Sequence, residues 1–101
     1  MIVEYLRYRI PASAADAFVA DYATAARVLD ASPHCLGYEL CRCVDEPGVF
    51  ILRIEWDSAA GHLEGFRKSP EFRTFFAAIR AYVPHIEEMR HYEATTVRSG
   101  G

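Results

Sequence analysis

The chain has 101 residues, 51% of them apolar and 13% aromatic, with a net charge of −3. That length holds one hydrophobic core, and an acidic balance with Lys and Arg scattered along the chain, Arg67-Lys68 the one adjacent pair, argues against a phosphate-binding surface for nucleic acid. Glu4, Arg7 and Arg9 interrupt the first apolar stretch, so no signal peptide or membrane span is expected, and three cysteines without an export signal suit the cytoplasm.

Ile2 to Ile10, rich in β-branched and aromatic residues, predicts a strand ended by Pro11. Ser13-Ala14-Ala15-Asp16 reads as a helix start, with the Ser13 hydroxyl placed to accept a backbone N–H. Phe18, Tyr22, Ala25 and Leu29 then repeat at helical spacing until Ser32-Pro33 stops the helix. Cys35 to Val44 and Val49 to Asp57 read as strands joined by Asp45-Glu46-Pro47-Gly48, where Pro presets φ and Gly accepts a positive one. Ser58 caps a short helix through Arg67, with Ala59, His62, Leu63 and Phe66 on one face. Ser69-Pro70-Glu71 starts another, since Pro suits a first turn and the acid complements the dipole. Its stripe is Phe72, Phe75, Phe76, Ile79 and Val83, and Pro84 ends it. Ile86 to Thr95 is a last strand. Residues 1–95 thus form a single domain and 96–101 a flexible tail.

The order β-α-β-β-α-α-β, with right-handed crossovers, is an α+β, ferredoxin-like split βαβ: a four-stranded antiparallel sheet with its helices on one face. Phe50, Leu52, Ile54 and Trp56 fill one side of the third strand, yet Val49 and Ile51 stand on the other. An open sheet face in water alternates more cleanly, so a second copy of the chain is expected to cover it, as a homodimer.

His62 shares its helix face with Ala59 and Phe66, so it should point at the sheet, as an acid–base group near neutral pH or as a histidine satisfied in the core. Trp56 is placed either to stack on a planar ligand or to plug the core. Phe66, Phe72, Phe75 and Phe76 either line an aromatic pocket or simply pack. Cys35, Cys41 and Cys43 fall on one strand face and lack zinc-site spacing, so small buried hydrophobes are expected. His34 sits at a loop-to-strand junction where a pocket mouth could lie, and His85 and His91 flank the last strand. No two histidines stand at helical ligand spacing, so no metal is expected.

Arg53-Ile54-Glu55-Trp56-Asp57-Ser58, then His62-Leu63-Glu64-Gly65-Phe66 and Ser69-Pro70-Glu71-Phe72, resembles the antibiotic biosynthesis monooxygenase family: a strand-ending Trp, a short helix, then Ser-Pro before Phe. Gly37-Tyr38-Glu39 after Pro33 matches too. The resemblance implies a dimeric α+β barrel with a pocket between sheet and helices, oxidising quinol- or anthrone-type aromatics with molecular oxygen and no cofactor. It would make His62 the base or charge partner and Trp56 a wall, with Tyr38 or Tyr5 bonding a substrate oxygen. Many relatives have His where this chain has Phe66. In the haem-degrading branch a pocket Trp and an iron-ligating His would fall near Phe66 and Phe76, so haem cleavage is not implied. A non-catalytic dimeric module binding a small aromatic ligand is the alternative.

Overall fold

The computed structural model describes residues 1–99. Its elements are β1 (Ile2–Arg9), α1 (Ala15–Ala31), β2 (Cys35–Arg42), β3 (Val49–Trp56), α2 (Pro70–Ile79) and β4 (Ile86–Glu93), with short helical pieces at Ala12–Ala14, Gly61–Phe66 and Arg80–His85. The four strands pair antiparallel in the order β2-β3-β1-β4, and the two long helices cover one face, as the sequence predicts.

Strand parity decides what each face carries. Leu6 and Tyr8 of β1 face the helices, beside Phe50, Leu52, Ile54 and Trp56 of β3, and all are buried. Phe18, Tyr22, Ala25 and Leu29 of α1 close over them, so the apolar stripe of α1 and the even-numbered strand residues form one core.

Several local expectations are corrected. Ser13 makes no cap: the Pro11 carbonyl takes the Ala14 N–H at 2.8 Å, so a 3-10 turn precedes α1 and Ser13 lies inside it. The segment after Ser58 winds as a π-helix over Gly61–Phe66, with Arg67 N–H reaching the His62 carbonyl at 3.0 Å. Helix α2 stops at Ile79 and tightens into a 3-10 turn, because Pro84 has no N–H to give and its ring crowds the carbonyl four residues back. A register shift between Cys35 and Gly37 pairs Cys35 with Trp56 and Cys41 with Ile51, so the sulfurs do not share a face, and Cys41 is exposed.

The hairpin turn needs its glycine. Gly48 has φ of 85°, and a Cβ there would stand 2.3 Å from the Ile10 carbonyl oxygen. The predicted tail falls partly outside the described residues; up to Ser99 it is neither helix nor strand, with Arg98 3.9 Å from Glu55. No helix among the described residues is long and apolar enough to cross a membrane.

The opposite sheet face carries Tyr5, Arg7, Arg53, Glu55 and Tyr92. Tyr5 packs edge-on against Tyr92 at 5.5 Å, and Arg53 donates to the Tyr5 hydroxyl at 3.2 Å and pairs with Glu55 at 3.5 Å.

In the core the Tyr8 and Tyr22 hydroxyls hydrogen-bond to each other, both buried. Burial pushes the Tyr8 phenol up to about 12 and Tyr22 further in the same direction. Both protons are kept in the fold and shed near pH 10 in the unfolded chain, so this contribution is complete below pH 10 and lost as pH rises toward 12. For Tyr8 alone the loss is about 3 kcal/mol. Urea midpoints measured from pH 9 to 12 should therefore fall, and fall less steeply in Tyr8→Phe/Tyr22→Phe.

Candidate active site

Even parity on β1 places Glu4 among Leu6 and Tyr8 on the helix side, where it is only 4% exposed. One carboxylate oxygen, Oε1, accepts the Trp56 indole N–H at 3.1 Å. The other, Oε2, stands 3.6 Å from His62 Nε2 and 3.5 Å from His91 Nε2. Glu4 and His91 are direct partners in the β1–β4 ladder, so this half of the site is fixed by strand register.

His62 arrives from the π-helical segment, its ring stacked on Trp56 at 4.4 Å and 5.0 Å from the His91 ring. It is buried, and neither ring nitrogen has a hydrogen-bond partner among the described residues. The segment is held from beneath by His34, whose Nδ1 meets Asp57 Oδ2 at 3.0 Å. A Cβ on Gly65 would stand 2.4 Å from the His34 ring, so glycine lets the backbone rest directly on it.

Burial dominates the electrostatics. It raises the Glu4 carboxyl above its ordinary range, opposed by the Trp56 N–H and by the charges of His91 and Arg67. Burial also lowers the His62 imidazole to about 4, assisted by His91 and Arg67. Both groups are thus driven toward neutrality, and standing this close they titrate as a pair.

A cavity of about 180 Å³ opens beside this cluster. Glu4, Trp56 and His62 form one end; Phe66, Phe72, Phe75 and Phe76 line the helix side; Met89 and the Arg67 guanidinium border it. Phe66 and Phe72 meet edge-to-face at 5.6 Å, which stiffens the wall. A larger groove of about 380 Å³ between α1 and β2 is lined by Val19, Ala23 and Leu40, with Glu39 and Arg42 also on it.

Of the residues expected at a site, His62, Trp56, Phe66, Phe72 and Phe76 meet at this cavity, while three others lie elsewhere. Tyr5 has odd parity and points to the opposite sheet face. Tyr38 lines the α1–β2 groove, its hydroxyl donating to Asp30 at 2.9 Å. His34 is engaged by Asp57 behind the π-helical segment and does not line the cavity. Glu4, His91 and Arg67 are additional. An acid at a core-parity position of a strand is a signal readable from sequence; the approach of His91 depends on strand register.

The family model for antibiotic biosynthesis monooxygenase matches residues 1–78. The chain belongs to the antibiotic biosynthesis monooxygenase family. Within that family's matched span lie Glu4, Trp56, His62 and Phe66, while His91 lies beyond it. The Bacillus subtilis protein YczJ, itself uncharacterized, is 25% identical over 69 residues, covering 68% of this chain and 73% of that one. Among solved structures, an antibiotic biosynthesis monooxygenase superposes with a TM-score of 0.75 at 19% identity, covering 94% of this chain and 99% of the other. Rv0793 from Mycobacterium tuberculosis superposes with a TM-score of 0.74 at 18% identity, over 97% and 98% of the two chains. At these identities the structural likeness establishes the shared fold.

Proposed function

We propose that the chain is a monooxygenase that oxidises a small single-ring phenol or hydroquinone with O2, Glu4 taking the substrate's proton and His62 serving as its charge partner. The observation that carries this reading is the juxtaposition of a buried carboxylate, tethered by Trp56, with an aromatic-lined cavity. Burial makes the Glu4 carboxylate a stronger base than an ordinary carboxylate and the His62 imidazole a weaker base than an ordinary imidazole, so the proton-removing role is given to Glu4.

The cavity's size favours one ring. An apolar cavity of about 150 Å³ accommodates benzene, and the 180 Å³ here suits a substituted ring better than the three fused rings of an anthrone. A phenol and O2 give a quinone and water, and a hydroquinone and O2 give a hydroxyquinone and water; in each, one oxygen atom enters the ring and the other leaves as water. Removing a phenolic proton raises the ring's electron density, and the ring supplies the electrons that reduce the oxygen. The protein then contributes desolvation and orientation, with Arg67 near the developing oxyanion.

The open sheet face belongs to the same reading as a homodimer surface. Tyr5 and Tyr92 lie half-exposed there among paired charges, a mixture that suits a second copy of the chain.

The test is oxygen uptake by chelator-treated protein supplied with single-ring phenols and hydroquinones, alongside anthrone. Uptake with a monocyclic substrate is expected, with a quinonoid product one oxygen atom richer than the substrate. The chain has one tryptophan, Trp56, in the cavity wall, so its fluorescence reports ligand entry. Quenching by these compounds without any uptake would defeat the oxygenase reading and leave a binding module.

A further inference from the structure

We infer that Glu4, His62 and His91 form a binding site for one divalent transition-metal ion, bordering the aromatic cavity. This goes beyond the oxygenation reading and does not depend on it. It concerns what the Glu4 oxygen holds when a cation arrives in place of a substrate proton.

The geometry is the first support. One donor atom from each residue can be chosen so that all lie within 4.8 Å of one another. Around a tetrahedral ion with bonds of about 2.1 Å, ligand atoms stand roughly 3.4 Å apart. The two distances from Glu4 Oε2, 3.6 and 3.5 Å, are close to that edge. Closing the remaining gap falls to His91, whose side chain, 37% exposed, is the least confined of the three.

The second support is independent of spacing. His62 is 4% exposed, and neither ring nitrogen has a hydrogen-bond partner among the described residues. Buried polar atoms are nearly always partnered, so an orphaned imidazole aimed at a carboxylate and a second imidazole needs an occupant. A cation accepts the Nε2 lone pair, as no group among the described residues does.

The surroundings match what metal sites require. Trp56 fixes one oxygen of Glu4 by an N–H bond, which leaves the other turned to the two histidines. Hydrogen bonds of that kind orient ligands and sharpen affinity. Glu4 and His91 sit opposite one another on adjacent strands, and His62 comes from a different element, so the three converge from a rigid frame. Two imidazoles and one carboxylate favour zinc, iron, cobalt or nickel over magnesium or calcium, which take oxygen ligands. With three protein ligands, at least one position is left for water or another small ligand.

The experiment uses the full chain stripped with chelator and titrated with Co2+, followed by visible absorption, and with Zn2+, followed by calorimetry. One ion per chain is expected. His91→Ala and Glu4→Gln should each weaken binding by about tenfold or more, while His85→Ala, outside the cluster, should bind as wild type. Zn2+ should raise the thermal midpoint of wild type and not that of His91→Ala, a variant on an exposed strand position that is expected to fold. Absence of stoichiometric binding, or binding equal in His91→Ala and wild type, overturns the site. Oxygen uptake by the chelated protein is scored separately, so failure of one reading is distinguishable from failure of the other.

Discussion

Glu4→Gln is expected to lower oxygen uptake by about 10²- to 10⁴-fold, the range spanned by general-base contributions, with a fold at least as stable as wild type at neutral pH. The two halves of that result come from one cause. Burial raises the Glu4 carboxyl, so its contribution to stability is complete below the unfolded carboxyl's pKa of about 4.5 and declines as pH rises through the folded value. Ionising Glu4 therefore costs the fold stability, and Gln removes the charge while keeping an oxygen for the Trp56 indole N–H. A residue present only for packing would lose stability on substitution. A group kept for chemistry behaves in the opposite way. Urea unfolding at pH 7 beside initial rates on a monocyclic hydroquinone reads both halves; a large loss of stability with unchanged uptake would remove Glu4 from the mechanism.

Trp56→Ala should have the largest structural effect of any single change near the cavity. The side chain is 1% exposed and lies against His62 at 4.4 Å and Phe66 at 5.1 Å. Truncating a buried aromatic costs about 3–5 kcal/mol, and the orphaned Glu4 oxygen adds roughly 1–3 kcal/mol. Against a total of about 5–15 kcal/mol for a domain, that brings the protein close to unfolding. Trp56→Phe separates the terms: it preserves most of the packing and loses the N–H, so only the second cost is expected. Denaturation followed by far-ultraviolet circular dichroism compares the three proteins, since both variants lack the chain's one tryptophan. Equal midpoints for Trp56→Phe and wild type would mean that the indole bond to Glu4 contributes nothing.

The fold was readable because its signals are local and mutually consistent. The period-two pattern of β3, the stripe Phe18-Tyr22-Ala25-Leu29 and the Pro47-Gly48 turn each specify an element, and together they leave few topologies. The cavity's helix side was readable too, since His62 and Phe66 share a face whether the segment winds as an α- or a π-helix. The acid–base cluster was not. Glu4 depends on strand parity, which the sequence contains, but its meeting with His91 depends on the β1–β4 register and on an irregularity between Arg7 and Tyr8. Tyr5 and Tyr38 show the converse. Both are aromatic hydroxyls near the expected pocket in sequence, and parity or the intervening strand directs them elsewhere. The Ser13 expectation failed because Pro11 begins a turn of its own, a competition between neighbours that residue preference alone does not resolve.

The wide turn over Gly61–Phe66 has a consequence for how this site arises. A π-helical turn holds one residue more than its α-helical equivalent, and each helical residue advances the side-chain direction by about 100°. A chain shorter by one residue here would wind as an ordinary helix, in which His62 and Phe66 still share a face, while the residues that follow would be turned relative to His62. The wider turn is accommodated by glycines at 61 and 65, which let the backbone sit flush against Asp57 and His34. Length in this segment thus decides how the cavity's helix side is joined to helix α2.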